Sequence, residues 1–559
     1  MAHGTEDAVV TVDVETRTVV DVTPLAGRPE QLLVMRDGRV LATLRGSGEL
    51  ALLEANATGH LEETKRVHVG SDPFAVAASP DEERLYVTCG HEGSIVALDG
   101  STFERVRDVA VAREPRGILV SADGHRVFAS HATAPFVTSI DVEYPGAPRV
   151  QRAPLGVEEQ EFLIGPGLVT TGFVVDQGFA IVERAGRIYV PGAFKDPGPH
   201  ELTGGYGAHA APIRPTVRTV DMVAFAPVSN GMGVSRFSDV GNECTLPRAA
   251  ALDDAEHLYV ACLGIDQVLE LDARSVDPST GLMRRFDVPE GPTGVAVDGA
   301  RRQLVTYSSI AGAVGFVDLD GGETVELGLP MRVEPTLSAA EKRGRHLFST
   351  TRDARIALDN RACESCHPDG RDDGMTWSTP DGPRQTISLA GRISGPGHFG
   401  WFGDNGTVAL HVRHTAKRLH GAGFEGGGTN AQDLAAIEAW LHAMPAPSPT
   451  VAADDPAAIE GARIFAARGC NGCHRDGATD DRAHDVHTGN VEEASLRFDT
   501  PSLRLVSASA PYFHDGRFAT LDAMFLSDKG PMAMPGSTAE ERSAVSRYLA
   551  SLGSKNVRP

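Results

Sequence analysis

Cysteine is scarce in this chain, seven residues in 559. Positive charge is also short: 52 lysines and arginines face 75 aspartates and glutamates, for a net charge of −23. That balance disfavours nucleic acid and anionic membrane surfaces as partners. It would suit a basic protein, though an acidic surface more often serves solubility. No run of about 18 apolar residues occurs, so no membrane span is expected. The start, MAHGTEDAVV, lacks a basic-then-apolar leader.

Four of the seven cysteines stand in two copies of one phrase. RACESCHPDG covers residues 361–370 and RGCNGCHRDG residues 468–477. Two thiols at this spacing reach the two vinyl groups of one haem, and the next residue offers its imidazole to the iron. This is the c-type haem attachment pattern. It names Cys363, Cys366 and His367, then Cys470, Cys473 and His474, and two c-type haems as cofactors. The competing readings are one zinc site built from both pairs, or a redox dithiol. Zinc does not require a histidine at the same place in both copies, and a redox dithiol is more at home in a thioredoxin-like βαβ setting. Covalent haem attachment takes place outside the cytoplasm, so the chain is expected to be periplasmic or otherwise extracytoplasmic, with a leader removed and replaced by an engineered start. Cys89, Cys244 and Cys262 are left, and three cannot all pair. Cys89 (LYVTC) and Cys262 (LYVAC) occupy equivalent places, as small buried strand residues do. A Cys244–Cys262 disulfide is the weaker reading.

Residues 1–331 read as short strands. In ERLYVTCGHEGSIVALDGSTFERV, EHLYVACLGIDQVLELDARS and their relatives, an apolar strand, a polar turn and a second strand ending in Asp follow one another. A proline-led strand precedes each, at Pro29, Pro73, Pro115, Pro247 and Pro292, spaced 44, 42, 132 and 45 residues apart. About 44 residues with four strands make one propeller blade. The long gap is three periods, which predicts seven blades with two inside it. Only one clear blade, around GFAIVERAGRIYVPG, is visible there, so six is the alternative. The N-terminal AVVTVDVETRTVVDV is expected to close the ring by pairing with the last blade. LYVTCGHEGSIVALD resembles the YVTN family of β-propellers, which are usually binding platforms. His91, His131 and His209 read as surface loop residues.

After MRVEPTLSAAEKRGRHLF the pattern turns to helices and loops, with an internal repeat. GRHLF precedes the first cysteine motif and GARIF the second; TISLAG and TPSLRL follow them; then come GWFGDNGTVAL and YFHDGRFATL. Each half ends in an amphipathic helix, DLAAIEAWLHAM and ERSAVSRYLASL. AMPAPSPTVAADDP joins them. The fold expected is multidomain: an all-β propeller followed by two tandem, mainly-α cytochrome c folds, 332–446 and 447–559.

GRHLF, CESCHPDGRDDG, WFGDNGTVAL and FDTPSLRLVSASAPYFHDGRFATL resemble the bacterial di-haem cytochrome c peroxidases and the related maturation enzyme of methylamine dehydrogenase. The resemblance covers about residues 335–556. It implies a reactive first haem on His367, an electron-transfer second haem on His474, and Trp401 between them. His411 falls where the family has a distal glutamine; His414 lies one helical turn on. The loop PDGRDDGMTWSTPDGPRQT lacks the histidine that blocks the reactive iron in the peroxidases, which implies an open site. Glu425 is a loose match for the family's glutamate. For the second iron, the family's position lands on Asp528; Met532 is the preferred ligand, then Met534 and Met524. One calcium ion between the haem domains is common in the family. The function implied is a peroxidase-like oxidoreductase acting on hydrogen peroxide. A small cytochrome, a cupredoxin or a substrate protein would supply electrons, and the propeller would be a docking platform. The alternatives are a non-enzymatic electron-transfer protein or a haem-dependent oxygenase.

Overall fold

Each proline-led phrase folds into a four-stranded antiparallel sheet. The computed structural model describes residues 1–142, 146, 148–164, 167–199, 205–207, 213–228, 244–331, 336–393, 398–489, 493, 495–528 and 530–553. Four-stranded sheets occupy residues 29–68, 73–110, 115–154, 247–287 and 292–328, in sequence order of strands. A larger sheet fills 157–227, and a three-stranded sheet fills 2–24.

Seven apolar clusters close these sheets into a ring, one at each junction between neighbours. Val87 and Val96 meet Leu41 and Leu50 at one junction, Val127 and Ile140 meet Tyr86 and Ile95 at the next, and so on round. At the seam, Val10 packs on Val314 and Phe316, and Val9 and Leu25 pack on Val40 and Leu53. The fold is a seven-bladed β-propeller. The blade count agrees with the sequence arithmetic, but the placement corrects it. The long gap holds one blade, and the N-terminal strands do not pair with the last blade; they form the seventh blade themselves.

The strand grammar has a physical cause. The second strand of a blade lies between two neighbours and two adjacent blades, so Arg84–Cys89 is buried from Leu85 onward, while the outermost Leu61–His68 is mostly exposed. The aspartate that ends the third strand caps the following turn: Asp99 Oδ1 accepts from the Ser101 and Thr102 amides at 3.0 and 2.9 Å. Cys244 and Cys262 form a disulfide with Cα atoms 5.1 Å apart. The sequence favoured a free Cys262, because the loop carrying Cys244 has no repeat partner to reveal its proximity. Cys89 is free and buried. His91 and His131 are buried rather than on surface loops. His131 is held between the Arg113 carbonyl (3.1 Å) and the Thr138 hydroxyl (2.8 Å). His209 lies outside the described residues.

The C-terminal part has seven α-helices among its described residues: α1 (Ala339–Ser349), α2 (Cys363–Cys366), α3 (Val408–Arg418), α4 (Thr429–Ala443), α5 (Pro456–Ala467), α6 (Leu521–Phe525) and α7 (Ala539–Ser551). They make one unit twice. α1 crosses α4 at Gly344, where a Cβ would overlap the Ala436 carbonyl, and α5 crosses α7 at Gly461, where a Cβ would overlap that of Ala544. Asp369 and Asp476, two residues past each motif histidine, both hold left-handed φ, 53° and 51°. Phe399 pairs with Asn405 in the first lobe as Tyr512 pairs with Phe518 in the second. Thr407 then caps α3 as Thr520 caps α6. The join runs along the propeller, where Ser71 donates to the Ser448 carbonyl at 2.5 Å. No described helix is long and apolar enough to cross a membrane.

Candidate cofactor site

The first cysteine motif opens α2 and ends in a turn. His367 Nδ1 lies 3.2 Å from the Arg371 carbonyl, so the ring donates there and Nε2 is left free. Burial lowers the His367 pKa, against the raising effect of Asp373 and that carbonyl. Burial pushes the Cys363 and Cys366 thiols up to about 12. Neither thiol is poised as a thiolate, which argues against a redox dithiol. All four motif cysteines are free. The two pairs sit in different lobes, so they do not form one zinc site.

Cys363, Cys366 and His367 line a cavity of about 2080 Å³, part of it open to solvent. Its walls are largely apolar, with Phe348, Trp377, Phe399, Phe424, Ile437 and Leu441. α3 contributes His411, and the second lobe contributes Thr479, Asp499, Thr500 and Pro501. Three arginines line it as well: Arg384 and Arg418 pair with Glu493 and Asp381, while Arg392 Nε has no hydrogen-bond partner among the described residues. Burial lowers the Arg392 pKa to about 10. A flat apolar group bearing carboxylates fits this cavity: thiols and an imidazole from α2, hydrophobic rings around, and the half-buried Arg392, which donates to the Ser502 carbonyl and leaves its Nε unpaired among the described residues.

His411 Nδ1 lies 3.3 Å from Asn405 Nδ2. With the amide as donor, the ring proton sits on Nε2. Burial, and then Arg418, lower its pKa to about 4, so it is neutral at pH 7. His414 is exposed and is not among the cavity residues; the helical turn that separates it from His411 carries it past the cavity's edge. Glu425 is also in solvent, paired with Lys417. Trp401 lines the cavity, donates to the Gln385 carbonyl at 3.2 Å, and sets its ring edge-on to His514 of the second lobe, centroids 6.3 Å apart. His514 in turn stacks on Phe498 at 3.9 Å.

Around the second motif, Phe465 faces His474 at 6.4 Å. Met534 is buried in the cluster that includes Cys470, and Met524 packs at its edge. Met532 is half-buried and Asp528 exposed. Among the described residues, one trio of potential ligand side chains converges, Cys473, Asp480 and His484. Its sulfur and imidazole do not suit calcium, which prefers oxygen.

Sequence reasoning missed Asp499, whose carboxyl is held up to about 7 by burial. It also missed a set of buried charges from the propeller that grip residues 361–373. Arg248 pairs with Glu364 at 2.7 Å, Gln177 donates to the Ser365 carbonyl at 3.0 Å, and Lys195 bridges Asp176 (2.5 Å) and Asp373 (3.4 Å). The signal available was a charged residue directly before a strand-leading proline, as at Asp72 and Glu114. These contacts seat the loop 361–373 on this face of the ring.

No protein-family model matches the chain, and no curated protein matches it. Solved structures with a similar course include hydrazine synthase of Kuenenia stuttgartiensis, at 18% identity and TM-score 0.41, covering 58% of this chain and 90% of that one. The dihydro-heme d1 dehydrogenase NirN gives 14% identity and TM-score 0.36 over 59% and 72%. Virginiamycin B lyase from Staphylococcus aureus gives 10% and 0.37 over 54% and 85%. What the chain's own topology defines is a seven-bladed β-propeller followed by a doubled helical unit.

Proposed function

We propose that the protein is a periplasmic di-haem c-type oxidoreductase of peroxidase type, with two tandem cytochrome c folds at 332–446 and 447–559 set against a propeller at 1–331. The observation that carries this reading is the first cavity, lined by Cys363, Cys366, His367 and His411, with Trp401 leading toward the second lobe. Haem bound there supplies an iron that reacts with hydrogen peroxide, and haem at the second motif supplies a store of electrons. His367 offers Nε2 to the iron, and the Arg371 carbonyl fixes its tautomer. Neutral His411 would present an Nε2–H donor to peroxide entering the cavity. Asp499 holds a proton near neutrality and exchanges it with that side of the cavity. Arg392 is placed to receive a haem carboxylate. His474 would hold the second haem, together with one methionine sulfur, of which Met534 is the best buried, ahead of Met524 and Met532. A small cytochrome, a cupredoxin or an oxidisable residue on a substrate protein restores the electrons.

The test is the mass of the mature chain: two haems heavier, with thioether links at both motifs. A protein holding zinc and lacking a Soret band overturns the reading. Trp401→Phe is expected to keep both haems but slow exchange between them. Phe fills most of the indole's volume, so packing changes little, yet it resists oxidation and loses the bond to Gln385. Stopped-flow mixing with peroxide shows both haems changing together in the native chain and only the first in the variant. Unchanged kinetics return Trp401 to a packing role.

A further inference from the structure

The carbonyl that orients His367 belongs to Arg371, and the Arg371 side chain is clamped by the propeller. Its two Nη atoms meet Asp72 at 2.6 Å and Glu114 at 2.6 Å. These carboxylates lead two adjacent blades, immediately before Pro73 and Pro115. They are fixed from behind: Asp72 by Arg45 (2.8 Å) and Arg116 (3.0 Å), Glu114 by Arg116 (2.6 Å). Arg45 and Arg116 also reach Asp369 of the attachment turn, at 2.9 and 3.1 Å. Asp72, Glu114, Arg116 and Arg371 are all buried. Both carboxylate residues hold left-handed φ, 59° and 52°, a cost this network must offset.

We infer that Asp72, Glu114 and Arg371 are positioning residues for His367, which makes the propeller the back wall of the first redox site. The inference rests on the reading that the first motif carries haem. A ligating imidazole is tuned by the acceptor of its other N–H, because a firmly held acceptor raises the ligand's basicity and favours the oxidised metal. Here that acceptor lies on a turn whose neighbouring side chains, Asp369, Arg371 and Asp372, are each tied to a different propeller group; Arg113 holds Asp372 at 2.8 Å. Among the described residues the second lobe has no counterpart: the position equivalent to Arg371 is Ala478, and Asp476, equivalent to Asp369, is exposed. The two motifs therefore differ in how stiffly their histidines are held, although both carry the Cys-x-x-Cys-His pattern.

Loosening the clamp relaxes the His367–Arg371 bond, so the reduction midpoint of the first haem rises while that of the second stays put. The experiment is a spectroelectrochemical titration of the full, haem-loaded chain, native against Glu114→Gln and Arg371→Lys. Glu114→Gln removes one arm and its charge. Arg371→Lys keeps the charge and loses the two-armed geometry. A rise confined to the first haem in both variants, with a weaker iron–histidine stretch in resonance Raman, is the expected result. A rise in Glu114→Gln alone indicates a bare charge effect and overturns positioning. Unchanged midpoints in a loaded variant, or equal shifts of both haems, also overturn it. Should Glu114→Gln not fold, Arg371→Lys decides by the same readings. A native chain with no haem on Cys363 and Cys366 is a different failure, that of the proposed function itself.

Discussion

Peroxide added to the His367→Ala chain produces no change at the first haem, while the reduced spectrum of the second is close to native. This is the largest functional loss expected of any single substitution. On the proposed reading, the imidazole is the one protein nitrogen that the attachment motif would present to the first iron, and it would supply the electron density that reaction with peroxide requires. The thioether bonds to Cys363 and Cys366 do not depend on it, so haem content should hold. The second motif is in a separate lobe with its own core around Ile464, Phe465 and Val545, and has no reason to respond. Parallel spectra of His367→Ala and His474→Ala check the assignment. Selective loss in His474→Ala instead reverses the roles of the two haems.

The largest loss of stability is expected from Arg116→Met. The Arg116 guanidinium is 1% exposed and neutralises Asp72, Glu114 and Asp369, with Phe74 beneath it at 4.7 Å. Methionine has a similar length but no charge, and so leaves Asp72, Glu114 and Asp369 to share two guanidiniums, Arg45 and Arg371, in place of three. Removing one member of a buried ionic set costs about 3–5 kcal/mol, because the partners' desolvation is no longer compensated. Arg302→Met is the control. Arg302 pairs with Asp320 at 2.8 Å, but both side chains are more than 60% exposed, and such pairs are worth about 0–1 kcal/mol. Thermal unfolding followed by far-ultraviolet dichroism should show a clear fall in the propeller's transition for Arg116→Met and almost none for Arg302→Met. Equal behaviour would mean that water enters the ring mouth and screens the network.

How much of this was legible in the sequence depended on whether a feature repeats. The blade phrases and the doubled lobe recur at matching positions, so LYVTC with LYVAC and GRHLF with GARIF could be aligned within one chain. The N-terminal blade was misjudged because its three strands lack the proline-led opening of the others, and ring closure is a three-dimensional fact. His411 and His414 were indistinguishable by helical spacing; only the tilt of α3 against the cavity separates them. Met534 is buried and Met532 only half-buried for a like reason, since two residues along an irregular turn decide which sulfur faces the core. The ion network at the ring mouth was invisible because its members come from positions 45, 72, 114, 116, 369 and 371. Charges that far apart in sequence read singly as solvated surface, and only closure of the ring brings them together.

The seam of the ring carries a consequence of its own. All three strands of residues 2–24 come from the N-terminal end, and the sheet at 292–328 is complete without them. No described strand is exchanged across the join, unlike a clasp in which one end completes the other's sheet. Thr336 nevertheless donates to the Thr5 carbonyl, so the two ends of the propeller segment meet. Each blade is thus a contiguous module whose ladder bonds are internal, and circularisation is a matter of side-chain contact alone.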